Sequence, residues 1–240
     1  QANVPDANPP AQPPVKEPKQ PPAKPKVEPT KATLTPGMKA AKKAHEAGNY
    51  REAARLYTVE LAAEEAKLAP SWVQLSYLHN QLGLALDNAG LYDKALEHYQ
   101  KALAIRLKQL GPEHPSVAIS YNNIGGVHDK KGEHDKALEH FQKTLAIFLK
   151  QLGPEHPSVA ISYGNIGKVH RKQGEHDKAL EHFRKSLAIF LKQLGPEHPH
   201  VATSFYEMAY VYKAKNDLAK AKEYWEKAYE IFFKKLGPNH

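Results

Sequence analysis

The chain has no cysteine. That excludes disulfides, thiolate metal sites, cysteine nucleophiles and thioether-bound haem. It also lacks any apolar run near the roughly 18 residues of a membrane helix, so no membrane span is expected. No Ser/His/Asp signature, Gly-rich phosphate loop or carboxylate pair stands out, which points away from an enzyme. Proline is scarce through most of the chain: eleven of the nineteen fall in the first 36 residues. The 240 residues therefore divide into a Pro-rich tail and a body whose hydrophobic content, 41% overall, suffices for a packed core.

The tail, residues 1–35, is Pro, Ala, Lys and Glu with hardly a large apolar side chain. Such a segment buries too little surface to offset the entropy of ordering, so it is expected to be extended, a linker, spacer or strap. At about 3.1 Å per residue it reaches ~100 Å when stretched. The formal charge is +8, but Lys alternates with Glu and Asp along presumed helix faces, as in "DKALEHFQK". That is a solvated helical surface, and no nucleic-acid partner is expected. The first residue is Gln1 rather than Met. With the Pro/Ala/Lys tail and the absent cysteine, this suits an extracytoplasmic chain, such as one of the bacterial periplasm, after signal removal; a cytoplasmic fragment is the alternative.

What is abundant is repetition. Ala53, Ala95, Ala137, Ala179 and Ala221 stand 42 apart, as do Tyr57, Tyr99, Phe141, Phe183 and Trp225. Gly48, Gly90, Gly132 and Gly174 keep the same step, with Asn216 in the fifth place. Ala41, Gly83, Gly125, Gly167 and Ala209 form a further column of small residues. Five units follow, at about 36–69, 70–110, 111–152, 153–194 and 195–240. Each reads as two helices. In the third, Pro115 sits at a helix start, where its missing N–H costs nothing. Val117, Tyr121, Ile124 and Val127 recur at helical spacing, and Gly132 permits the turn into the second helix. There Ala137, Leu138, Phe141, Leu145, Phe148 and Leu152 form the apolar stripe, and Gly153 ends it.

These columns resemble the tetratricopeptide repeat. The 42-residue period, the "LGPEHP" joint and the "YNNIG" of the first helix look like its kinesin-light-chain and nephrocystin-3 type. The resemblance implies an all-α, right-handed α-solenoid of five helical hairpins. It also implies a protein-interaction module whose first helices line a concave groove, without cofactor. In such repeats Asn at the places of Asn123 and Asn165 contacts bound peptide. The chaperone-binding class instead carries a clamp of Lys and Asn. The matching positions here hold Met38, Lys42, Gln81, Asn122 and Gly126, so capture of chaperone C-termini is not expected.

Residues 109–150 and 151–192 differ at six positions. Asn122 becomes Gly164, Gly126 becomes Lys168, Asp129 becomes Arg171, Lys131 becomes Gln173, Gln142 becomes Arg184 and Thr144 becomes Ser186. The first three lie at i, i+4 and i+7, one stripe of the first helix. Read along the repeats, that stripe turns basic toward the C-terminus, with Lys168, Arg171, Lys172 and Lys213. An extended, acidic segment of another protein is the expected occupant. Arg171 and Lys172 also lie in a last helical turn, where cations are favoured by the helix dipole alone. Gln81, Asn122, Asn123 and Asn165 form an amide ladder able to pair with any peptide backbone.

Fourteen histidines are many, but His134/His140 and His176/His182 are spaced by six, not the four of a zinc helix. His114, His156 and His198 precede Pro and read as turn residues. No metal site is expected. The chain stops at "LGPNH", which matches Gly111 to His114. Its last helix carries Trp225, Tyr229, Phe232 and Phe233, an expected docking end for another protein or a second copy. Two forms of interaction module follow: an assembly subunit joined through groove, ends and tail, or an adaptor for an acidic peptide.

Overall fold

The computed structural model describes residues 32–236, with side chains to residue 233. The extended tail therefore lies almost wholly outside the described residues, as does the terminal "LGPNH" beyond Leu236. All regular structure among the described residues is α-helical. Its ten helices are α1 (Pro36–Glu46), α2 (Tyr50–Glu65), α3 (Trp72–Asn88), α4 (Tyr92–Leu110), α5 (Pro115–Lys130), α6 (His134–Leu152), α7 (Pro157–Lys172), α8 (His176–Leu194), α9 (Pro199–Ala214) and α10 (Leu218–Leu236).

The joint "LGPEHP" explains itself atom by atom. Gly111, Gly153 and Gly195 end α4, α6 and α8 with φ of +83°, +85° and +82°, a region glycine enters without a Cβ clash. His114, His156 and His198 are N-caps in extended backbone, not mere turn residues. The Nδ1 atom of each accepts the backbone N–H two residues on, at 3.1 Å. A neutral imidazole supplies here the acceptor that Ser or Asp usually gives. The pyrrolidine of Pro115, Pro157 or Pro199 then opens the next helix. Glu113 and Glu155 of the joints bond to Lys150 of α6 and Lys192 of α8, the second helix of the hairpin that follows, which fixes each joint against its own hairpin.

Within a hairpin, the turn is closed by a pair of nested bonds. After α5, Gly132 N–H donates to Asp129 O (3.1 Å) and Glu133 N–H to His128 O (2.9 Å). Asn216 holds the same turn at φ +61°, and Asn is among the few residues that tolerate it. The two helices approach closely because Gly83, Gly125 and Gly167 face Tyr99, Phe141 and Phe183. A Cβ on Gly167 would stand 2.8 Å from the Phe183 ring. That is why small and aromatic columns recur together.

Each helix packs on its neighbours in sequence, so the core runs as a string of clusters along a solenoid. The odd-numbered helices form the inner layer: α3 also reaches α5, and α7 reaches α9. Polar ties fix the step from one hairpin to the next. Lys130 bonds Asp87 and Lys172 bonds Asp129, both at 2.8 Å. Lys131 reaches Asp93 at 2.7 Å, Gln173 reaches Asp135 at 3.0 Å and Lys215 reaches Asp177 at 2.5 Å. No described helix is long and apolar enough to cross a membrane.

Candidate functional site on the inner face

The amide ladder exists, and much of it is spent within the solenoid. Asn123 Nδ2 donates to Asn80 Oδ1 at 3.1 Å, and Asn165 Nδ2 donates to Asn122 Oδ1 at 2.9 Å. Gln81 accepts from Asn80 and donates to the Tyr77 hydroxyl, both at 3.3 Å. In the N-terminal half the inner face is filled further by Arg106. Its guanidinium donates to Ser120 Oγ (2.8 Å), Ser116 O (3.2 Å) and Asn80 Oδ1 (3.5 Å). Its burial pulls its pKa below the ordinary guanidinium value.

The pattern changes at the step from α7 to α9. Gly164 stands where Asn80 and Asn122 stood, so no amide is offered. Glu207 stands where Gln81, Asn123 and Asn165 stood. Arg171 stands where Asp87 and Asp129 stood, and Ala214 replaces the lysine that bridged them. The inter-repeat amide bond and the Lys–Asp bridge both disappear here. In their place Glu207 forms ion pairs, without hydrogen bonds, with Arg171 Nε at 3.2 Å and Lys168 Nζ at 3.7 Å. The carboxylate is largely enclosed, its side chain 14% exposed.

Around this ion cluster lies an aromatic surface. Tyr206 and Tyr210 meet edge-on with hydroxyl oxygens 2.9 Å apart, and that bond holds the Tyr206 phenol above its ordinary pKa. Arg171 lies over the Tyr210 ring at 5.6 Å, and Lys213 lies over Trp225 at 5.8 Å. Trp225 meets Tyr210 edge-on at 5.7 Å and packs inward on the last core cluster. Tyr229 (65% exposed) and Phe233 (45% exposed) form a separate stacked pair on α10, rings 5.6 Å apart, with Phe232 half-buried beside them. Lys172, by contrast, is turned to Asp129 of the preceding hairpin.

A cavity of about 310 Å³ opens beside the ion cluster, between α7, α8 and α9. Phe183, Phe190 and Ile161 give it apolar walls, and Asn165, Thr203, Lys168 and Glu207 give it a polar side. Two features escaped the column comparison. Glu207 becomes visible only when the Asn123 column is followed one step further. The histidine pairs that lie between helices of one hairpin come from different columns, so periodicity hides them. These are His79 with His98 (Nδ1 to Nδ1, 3.0 Å), His128 with His140, and His170 with His182. Among the described residues no three His, Asp or Glu side chains converge as metal ligands.

The hairpins, their 42-residue step and the lined inner face define a class. The chain belongs to the tetratricopeptide repeat family, whose model matches residues 74–150, 130–192 and 158–233. Proteins built of these repeats are interaction modules, and this chain is one by its fold. It is similar to BtubC (BKLC) from P. vanneervenii, at 25% identity and TM-score 0.71 over 83% of this chain and 80% of that one. It is similar also to a putative kinesin light chain of Podosopora anserina with nearly identical repeats, at 27% identity and TM-score 0.70, covering 83% and 94%. The Rap conjugation gene regulator of the plasmid pLS20, in complex with the Phr* peptide, shares the fold at 18% identity and TM-score 0.68, over 84% of this chain and 53% of that one. No curated protein sequence matches the chain.

Proposed function

We propose that the chain is a non-enzymatic adaptor that holds an extended, acidic segment of a partner protein across the inner face of α5, α7 and α9. The observation that carries this reading is the departure at the α7–α9 step. There a self-satisfied ladder of amides and Lys–Asp bridges gives way to three cations, Lys168, Arg171 and Lys213, against one carboxylate, Glu207. The cations are interleaved with Tyr206 and Tyr210, both exposed. Cations over aromatic faces hold carboxylates without a rigid cage, and rim charges of this kind steer encounter and select sign. Peptides selected against the chain from a random displayed library are expected to be enriched in Asp and Glu. Arg171→Glu should weaken them at least tenfold, with binding that falls as salt rises. Selected peptides of no preferred charge, bound equally by the variant, would refute the reading.

A second reading is an assembly subunit that joins larger complexes through α10. Tyr229 and Phe233 favour it, because two stacked, exposed aromatics on one helix are an adhesive surface. Self-association seen by light scattering and abolished by Phe233→Glu would give this reading priority.

A further inference from the structure

One column of the repeat changes character inside the core. Glu64, Arg106, Phe148, Phe190 and Phe232 stand 42 residues apart. Phe148 and Phe190 are buried between successive hairpins, the first packed on Ala118 and Val159 and the second on Ala160 and Val201. Arg106 puts a half-buried guanidinium in the corresponding place, near the end of α4. All of its hydrogen bonds leave from Nη1 and go to neutral oxygens, Ser120 Oγ, Ser116 O and Asn80 Oδ1. Its Nε–H and two Nη2–H groups find no acceptor among the described residues. Nor does it form an ion pair among them, and burial alone lowers its pKa. Glu64, the other charged member of the column, is by contrast answered by Lys67 and by the Ser71 N–H. A charge drawn out of water without a counter-charge is strongly destabilising. The neighbours add to that cost. Arg106 bonds the first turn of α5, where the helix end carries partial positive charge. His114, pushed down by burial and then by Arg106, stays uncharged at neutral pH.

We propose that Arg106 anchors a binding site for a phosphoryl group between the end of α4 and the first turn of α5. The ligand is a tetrahedral oxyanion, either inorganic phosphate or a phosphorylated side chain of a partner. The free edge of the guanidinium, Nε–H with one Nη2–H, is the fork that takes two oxygens of such a group in parallel. The same joint holds two further donors for a third oxygen. Ser116 keeps its hydroxyl unbonded among the described residues. His114 accepts the Ser116 N–H at Nδ1, so its neutral ring carries the proton on Nε2. A carboxylate would use the fork alone and leave these donors idle. A phosphoryl dianion engages them and offsets both the guanidinium and the end of α5. The site lies on other helices than Lys168 and Arg171, and it does not rest on the capture of acidic segments.

The test titrates inorganic phosphate and, separately, acetate into the whole chain at pH 7.5 and constant ionic strength, followed by NMR. Phosphate should shift the Arg106 Nε–H signal and the backbone amides of Ser116 and Ser120 saturably, and acetate should bind at least tenfold more weakly. Arg106→Phe installs the residue of the two following units. It should keep the solenoid, raise the urea midpoint in phosphate-free buffer and abolish the shifts. Arg106→Lys keeps the charge without the fork, guards against misfolding of the first variant and should weaken phosphate at least tenfold. The N-acetyl amide of phosphoserine separates the two sources: tighter binding than inorganic phosphate assigns the site to a partner's side chain, and weaker binding assigns it to the free ion. Signals that stay in place, that answer acetate as strongly as phosphate, or that shift alike in both variants and the parent would overturn the proposal. None of these results bears on acidic library peptides, whose selection is read at Arg171.

Discussion

Phe183→Ala is expected to remove about 3–5 kcal/mol of stability, the usual cost of emptying a buried aromatic site. Phe183 is nearly inaccessible and lies in the cluster that joins α8 to α9 and α10 through Met208, Val211 and Ala221. Its ring also fills the space that Gly167 leaves on α7. Neighbours cannot collapse into the gap, because Gly167 has no side chain to offer and the pocket beside it is already open. In a solenoid each unit is held by its own core and its two interfaces, so the loss should stay local. Hydrogen exchange should show α7 to α10 losing protection while α1 to α4 keep theirs, with a urea transition that broadens or splits. A single unshifted transition would contradict the assignment of Phe183 as the keystone of the C-terminal hairpins.

Acid should loosen the same solenoid at several hairpins together. His79 is buried between α3 and α4, and its pKa falls to about 4, first through burial and then through the neighbouring His98 and Lys101. Burial also lowers His98, with Lys101 adding to it and Glu97 opposing. His140 and His182 are lowered likewise by burial, by the stacked His128 and His170, and by Lys143 and Lys185. All four bind protons less readily folded than unfolded. Unfolded histidine titrates near 6.5, so the unfolded chain takes up more protons as pH falls below that value. Stability should be full above about pH 6.5 and drain between there and pH 4. For His79 a shift of that size corresponds to on the order of 3 kcal/mol. Glu133 and Glu175 sit against His128 and His170 at 2.6 and 2.5 Å, and their carboxyl groups are held below the ordinary glutamate value, Glu133 by His128 and Lys136 and Glu175 by Lys178 and His170. Urea midpoints at pH 7.5 and 5.0 should therefore differ, and His79→Phe should narrow the difference. Midpoints independent of pH would show that His79, His98, His140 and His182 are not held neutral.

The hairpins were legible because their causes are periodic. A glycine that must enter positive φ, a small residue opposite an aromatic, and a proline at a helix start each leave a column at a fixed step. The inner face was legible only in part. The stripe of Asn122, Gly126 and Asp129 marked where the copies diverge, but composition along one stripe cannot show which charges are already answered. Glu207 belongs to a different column and reaches Lys168 and Arg171 across the gap between α7 and α9. Ser186 lies on another helix from Gly164, so their shared cavity appears only when the helices pack. The capping role of His114 was hidden by residue type, since histidine is not among the usual N-caps.

The central claim is that this chain's specificity lies where its fourth unit departs from its third. One variant tests it directly: Gly164→Asn, Lys168→Gly, Arg171→Asp, Glu207→Asn and Ala214→Lys made together, which gives the α7–α9 step the amide bond and Lys–Asp bridge of the α5–α7 step. Calorimetric titration of an acidic, library-selected peptide against this variant and the parent chain is the deciding measurement. The account predicts an intact solenoid with a similar urea midpoint and peptide affinity reduced at least thirtyfold. A variant that folds and binds the peptide as tightly as the parent would contradict it.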